Sequence, residues 1–280
     1  MKQPLITHPA LRYHGGKFRL APWIISHFPE HRCYVEPFGG AASVLLRKER
    51  SPAEVYNDLD GDVVNFFRVL RDPVLSKKLA EQVELTPYSR DEFYAAYETS
   101  SDSVEQARKL VVRAQMAFGS AGATKGTTGF MLDTKRGCGA TQRLWKEHGK
   151  TVLTAANRLQ GVLIENKKAL SLIEDHDSVD TLFYVDPPYL PSTRSIGSNR
   201  YYRHEMNESD HIELLEGLKK VKGIVLISGY ESELYNDLLS GWEKKVKSTV
   251  ISSNKGGRTA NEVLWISPNC TSVNQGLNFG

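Results

Sequence analysis

The sequence predicts an α/β protein: an open sheet of short strands with helices between them, interrupted by a basic, mainly helical segment over residues 73–159. Three observations carry this reading. Short apolar runs rich in β-branched and aromatic residues, such as 181–185, alternate with amphipathic stretches at helical spacing. Four of these runs end in glycine, acid, amide or proline corners, at residues 36–40, at Asp58, at Asn166 and at residues 186–189. Nine Lys and Arg fall between Arg108 and Lys150 against two acids, so that segment carries +7 and the remainder −4 in a chain of net charge +3. A chain of 280 residues accommodates one large α/β domain with an inserted subdomain. We therefore expect 1–72 and 160–280 to form the sheet domain and 73–159 the insertion.

Composition narrows the class. With 40% hydrophobic and 25% charged residues the chain reads as an ordinary globular protein. No apolar run approaches the roughly 20 residues needed to span a bilayer, and residues 1–10 lack the apolar core of a secretory signal. Cys33, Cys138 and Cys270 are too scattered for a disulfide framework or a zinc site, so neither is expected and the cytoplasm is the simplest compartment. A basic segment in an acidic body points to contact with a polyanion.

Taken in order, residues 11–17 read Leu-Arg-Tyr-His-Gly-Gly-Lys, before an amphipathic helix over 18–28. A P-loop would need Gly at position 11 and Ser or Thr at 18; Leu11 and Phe18 exclude it. What remains is a Gly-Gly turn flanked by Tyr13 and Lys17. Residues 34–40 form a short strand, Tyr-Val-Glu-Pro-Phe-Gly-Gly, ending in a tight turn before a helix over 41–50. Strand, glycine turn and helix together let a cofactor approach the backbone closely. The next strand, 54–58, ends at Asp58 roughly 20 residues later, where an acid commonly binds the ribose hydroxyls of a nucleoside cofactor. A helix follows over 61–71.

Residues 73–118 read as helical; the stretch 103–118 has an apolar face at Val104, Ala107, Val111, Ala114 and Phe118. Six glycines with Lys125, Lys135 and Arg136 then make 119–139 a set of long loops or a β-hairpin. Such basic, glycine-rich loops can follow phosphates and reach base edges. A helix over 141–159 exposes Arg143 and Lys146. A strand over 161–166 places Asn166, a candidate cofactor contact, at its carboxyl end.

Residues 181–189 carry the most chemistry: Thr-Leu-Phe-Tyr-Val-Asp-Pro-Pro-Tyr. Pro187 and Pro188 fix φ and lack N–H donors, so the strand stops there. Asp186 and Tyr189 are then held at its carboxyl end, where open α/β sheets bind ligands. The corner suits a site that accepts hydrogen bonds from an amino group and stacks on a flat ring. A polar loop over 191–203 contains Arg194, placed to close over the site or grip phosphate. A helix over 208–222, a strand over 223–228, a helix over 231–239 and an antiparallel pair over 245–252 and 262–267 complete the chain.

Together these stretches resemble the Dam-type DNA adenine-N6 methyltransferases. The resemblance spans nearly the whole chain and rests on Tyr13-His14-Gly15-Gly16-Lys17, on Val35-Glu36-Pro37-Phe38-Gly39-Gly40, on Asn57-Asp58, on Asp186-Pro187-Pro188-Tyr189 and on Glu262-Val263-Leu264-Trp265-Ile266. Their order, cofactor motifs first, then a recognition insertion, then the Asp-Pro-Pro-Tyr corner, is that of the α class of these enzymes. The resemblance implies a seven-stranded, Rossmann-like methyltransferase sheet with its last strand antiparallel, and a helical target-recognition domain carrying a β-hairpin. It implies S-adenosylmethionine as cofactor, contacted by Tyr13, Lys17 and Asp58, with Glu36, Phe38, Gly40 and Asn166 along the same strand ends and Asp186 between cofactor and target. Two positions depart from the common pattern: Ala42 stands where glycine is usual, and Tyr13 where Trp is common.

The chemistry so implied is direct transfer to a flipped adenine in double-stranded DNA. Asp186 and the Pro187 carbonyl accept the N6 hydrogens and localise the lone pair, while Tyr189 stacks on the base. Lys125, Lys135, Arg136, Arg143 and Arg194 are the expected DNA contacts. No cysteine follows a proline, which argues against a C5-cytosine mechanism. N4-cytosine methylation uses the same amino-group chemistry and stays open as an alternative, as does a non-catalytic DNA-binding protein of the same fold. The segment 119–143 matches no reader that can be placed, so a GATC-type target is only a family-level expectation. A monomer is expected, with any restriction endonuclease on a separate chain.

Overall fold

The computed structural model describes residues 6–124, 128–132, 140–194, 202–251 and 258–270. Seven strands form one sheet: β1 (Cys33–Glu36), β2 (Ala53–Asn57), β3 (Leu163–Glu165), β4 (Thr181–Val185), β5 (Ile224–Gly229), β6 (Glu243–Ile251) and β7 (Arg258–Ile266). Their order is β3-β2-β1-β4-β5-β7-β6. The first five run parallel, while β7 is antiparallel to both β5 and β6. This is the seven-stranded sheet with an antiparallel final strand that the sequence led us to expect.

The helices are α1 (Ala21–Ile25), α2 (Gly61–Arg71), α3 (Pro73–Leu85), α4 (Arg90–Ala95), α5 (Ser103–Met116), α6 (Ala140–Lys146), α7 (His148–Leu159), α8 (Ala169–His176), α9 (Glu208–Leu218) and α10 (Glu233–Leu238). Strand alternation splits the core in two. On one face Tyr34, Tyr56, Leu182, Tyr184, Leu226 and Leu264 meet α2, α3, α5 and α7. On the other, Val35, Val55, Phe183, Val185, Ile227 and Trp265 meet α8, α9 and α10. Each such buried side chain stabilises the fold by about 1.5–3 kcal/mol. Helices of the 73–159 segment thus share a core with the sheet. Their attachment is also ionic: Arg158 at the end of α7 bonds both Glu54 oxygens, at 2.6 and 2.8 Å, and Lys48 bonds the same carboxylate at 2.7 Å.

Several boundaries differ from those expected. Residues 41–50 form consecutive turns rather than a helix. The reason is local: Ala42 adopts φ 52°, and the Leu45 N–H donates to Glu36 instead of to a backbone carbonyl. The run 73–118 breaks into three helices. Ser89 and Asp102 cap α4 and α5 through their side chains, supplying acceptors that end one helix and start the next. Phe118, placed on the apolar face of that run, lies beyond the end of α5 and is 59% exposed. Residues 141–159 divide at Glu147, and α8 was not anticipated. The expected hairpin is represented by an antiparallel bridge between Ala117 and Phe130; residues 125–127 and 133–139 lie outside the described residues.

Candidate active site

The carboxyl ends of β1, β2, β4 and β5 open onto one cavity of about 1770 Å³. Its first half is built around Asp58. One carboxylate oxygen accepts the Gly40 N–H at 2.8 Å and the other the Asp60 N–H at 2.8 Å. The Tyr56 hydroxyl donates to the Gly40 carbonyl at 2.7 Å, and the Asn166 amide donates to the Asp58 carbonyl at 2.7 Å. Glycine is favoured at position 40: its φ is +48°, and a Cβ there would come within 3.0 Å of the Tyr13 ring. The Asp58 carboxyl faces the cavity, yet desolvation raises it to about 6 against the pull of its two backbone N–H donors. Glu36 lies deeper, accepting from the Tyr34 hydroxyl and the Leu45 N–H, each at 3.0 Å. Burial lifts its carboxyl to about 8. Phe38 joins the cavity wall.

Gly39 makes this half intolerant of substitution. A Cβ on Gly39 would lie 2.1 Å from the buried Tyr56 ring, whose hydroxyl is itself tied to the turn. Gly39→Ala is therefore expected to destabilise the protein by about 1–3 kcal/mol and to weaken cofactor binding, read by thermal melting and calorimetry. An unchanged melting temperature would show that the ring has room to move.

The second half centres on Asp186. Its Oδ1 accepts from the Ser228 hydroxyl at 2.7 Å and pairs with the Lys17 ammonium at 2.9 Å; Ser228 in turn meets the buried Tyr184 hydroxyl at 3.1 Å. Among the described residues, Asp186 Oδ2 has no hydrogen-bond partner. Lys17 also donates to the Gly15 carbonyl at 3.0 Å, lies 3.6 Å from Glu262 Oε1, and sits 4.7 Å from the centre of the Tyr189 ring. Burial alone would lower the Lys17 ammonium's pKa; Asp186 and Glu262 outweigh it and hold it above its ordinary range. The Tyr189 hydroxyl donates to Glu262, and Tyr230 packs edge-on against the same ring at 4.8 Å.

The sequence-derived positions Tyr13, Lys17, Glu36, Phe38, Gly40, Asp58, Asp186, Pro187 and Tyr189 thus line a single cavity. Asn166 stands one layer back, bracing Asp58. Sequence reasoning missed Ser228 and Tyr230, and gave Glu262 no role beyond its place in the closing Glu262–Ile266 stretch. It also missed Tyr202, whose hydroxyl reaches the His14 carbonyl at 3.4 Å; Arg203, at the end of the polar loop expected to close over the site or grip phosphate, pairs with Asp60 and Asp62 at 3.2 and 2.7 Å.

The expected DNA contacts fare differently. Arg143 is exposed on α6, while Lys125, Lys135 and Arg136 lie outside the described residues. Arg194, expected to grip DNA, is turned inward: its side chain is 8% exposed, bonds the Tyr189 carbonyl at 2.7 Å and pairs with Glu205 at 2.7 Å. Charge counting also overstated the basic face. Arg108 is spent on Glu92 and Glu105, Arg113 on Asp62, Lys150 on Glu147, and Lys109 bonds the Glu98 carbonyl. Among the described residues no group of His, Cys, Asp and Glu could hold a metal ion.

A family profile described as "D12 class N6 adenine-specific DNA methyltransferase" matches residues 13–252. Among curated proteins, a Type II methyltransferase of Methanocaldococcus jannaschii is 22% identical, covering 89% of this chain and 94% of its own length. DNA adenine methylases of Haemophilus influenzae and Escherichia coli are 23% and 24% identical, covering 88% and 89% of this chain and 88% and 90% of theirs.

Proposed function

Because the chain belongs to the D12 class N6 adenine-specific DNA methyltransferase family, we propose that the Asp186 corner receives the target adenine and the Asp58 corner the cofactor. The chain methylates the N6 amino group of adenine in DNA and uses S-adenosylmethionine. The residues fit that cofactor. Gly39 and Gly40 let the turn lie directly against the Tyr56 and Tyr13 rings, where a Cβ would collide or crowd, Asp58 offers carboxylate lone pairs at the cavity wall, and Tyr13 offers a flat ring beside the turn. When bound, S-adenosylmethionine supplies an activated methyl group.

The observation that carries the assignment of roles is the division of labour at Asp186. Ser228 and Lys17 anchor Oδ1, and Oδ2 is left to accept a hydrogen from N6. The Pro187 carbonyl takes the second hydrogen, since no N–H at Pro187 or Pro188 competes for that corner. Both bonds draw the N6 lone pair out of conjugation with the ring. Tyr189, braced by Tyr230 and Glu262, presents a face for the base, which must leave the duplex at a cost of about a few kcal/mol. Positioning and preorganised dipoles then supply most of the acceleration.

Recognition of the sequence around the base falls to residues 73–159, with Arg143 and, on the sequence alone, Lys125, Lys135 and Arg136 as the contacts to double-stranded DNA. No helix among the described residues is long and apolar enough to cross a membrane. A monomer acting in the cytoplasm, with any restriction endonuclease as a separate chain, completes the reading. Incubating the protein with duplex DNA and labelled cofactor, then digesting to nucleosides, tests it. Label in N6-methyladenine is expected; label in N4-methylcytosine, or stoichiometric DNA binding without label, would overturn it.

A further inference from the structure

Glu262 sits on β7, 4% exposed, and meets two residues of the transfer site at once. Its Oε1 accepts the Tyr189 hydroxyl and lies 3.6 Å from the Lys17 ammonium. The same ammonium is 2.9 Å from Asp186. Lys17 is therefore shared between two carboxylates, and Tyr189 is held at its far end by one of them. We propose that Glu262 is a positioning residue for methyl transfer: it draws part of the Lys17 charge away from Asp186 and fixes the Tyr189 ring.

The inference rests on the roles given above to Asp186 and Tyr189. An ammonium with one carboxylate partner pairs fully with it, and a fully paired carboxylate is a weaker acceptor for a neutral amino group. A second carboxylate divides that attraction. Neutralising Glu262 leaves Lys17 to Asp186 alone. It also leaves the Tyr189 phenol with an uncharged acceptor, so the ring that receives the base is held less firmly.

Titration follows the same geometry. The groups facing Glu262 are Lys17 from the turn before α1, Asp186 and Tyr189 from the corner after β4, Tyr184 from β4 itself, and Lys247 opposite it on β6. Burial raises the Glu262 carboxyl; Asp186 adds to this, while Lys17 and the Tyr189 phenol oppose it. Wild-type kcat should therefore fall on the acid side as Glu262 takes up its proton.

The test is E262Q, with the pH profile of kcat, cofactor and DNA affinities, and the melting temperature measured together. We expect kcat to fall about 100-fold, the scale of a 1 Å misplacement, with little change in either affinity, and the acid limb to move to lower pH. E262D, which keeps the charge, should recover part of the loss. Tyr189→Phe gives an independent readout. The phenol bond holds the Glu262 carboxyl down, so its removal should move the acid limb to higher pH. Wild-type kcat in E262Q, losses confined to melting temperature, or an acid limb unmoved in both variants would each overturn the proposal. D186A separates this outcome from failure of the underlying reading: an inactive D186A beside a fully active E262Q sinks only the inference about Glu262.

Discussion

Replacing Asp186 by Ala is expected to abolish methyl transfer, with kcat falling about 1000-fold or more, while S-adenosylmethionine still binds. The size follows from what is removed. In the proposed assignment Asp186 is the charged acceptor at the reacting centre, and loss of one preorganised polar contact of this kind typically lowers kcat by about 10²–10³. Ala also frees Lys17 to pair with Glu262 alone and leaves the Ser228 hydroxyl without its acceptor at 2.7 Å. The Asp58 corner does not depend on Asp186. Its bonds run to Gly40, Asp60 and Asn166, so cofactor affinity should largely survive. Single-turnover transfer of labelled methyl, beside calorimetric titration of the cofactor, separates the two quantities. Full activity in D186A would sink the assignment of the transfer site. Asp186→Asn is the finer probe. It preserves shape, but its amide nitrogen would confront either the N6 hydrogens or the Lys17–Ser228 anchor with a donor.

How much of this was legible in the sequence depends on how local the cause is. The strands ending at Glu36, Asp58 and Asp186 are short apolar runs stopped by glycine, acid or proline, and such stops act within a few residues. Helix α2 announces itself through Asp60, whose side chain caps it. What escaped was set at long range. The turns over 41–50 have helical composition, and only the buried carboxylate of Glu36, nine residues upstream, pulls the Leu45 N–H away from helical pairing. Ser228 and Glu262 look like ordinary strand residues; they reach the Asp186 corner because β4, β5 and β7 lie side by side. Arg194 has the composition of a phosphate contact and the environment of a brace, and sequence supplies only the first. The same holds for the charge count between Arg108 and Lys150, where partners such as Asp62 and Glu92 lie outside the counted segment.

Asp58 yields the second large effect, and its sign depends on pH. The carboxylate joins the glycine turn to the start of α2 through two N–H bonds of 2.8 Å. Bonds to a charged acceptor contribute about 1.5–3 kcal/mol each, so Asp58→Ala should raise the cofactor Kd about 100-fold. The folded carboxyl is raised to about 6 from an ordinary value of 3.8. Its contribution to folding stability is therefore fully present below about 4 and is lost as pH rises through about 6. Cofactor affinity runs the opposite way. Ribose hydroxyls donate, so they favour the ionised acid, and binding should strengthen as pH rises through about 6 and weaken below it. Asp58→Asn keeps an acceptor but cannot titrate. It should bind more weakly than wild type at neutral pH and show a flat affinity between pH 5 and 7, a window set by the value of about 6. Calorimetry across that window decides the matter. An equally pH-dependent affinity in wild type and D58N would mean that another group governs binding. The buried Glu36 is raised further, to about 8, so an affinity in D58N that still changed toward pH 7 would point to Glu36 rather than Asp58.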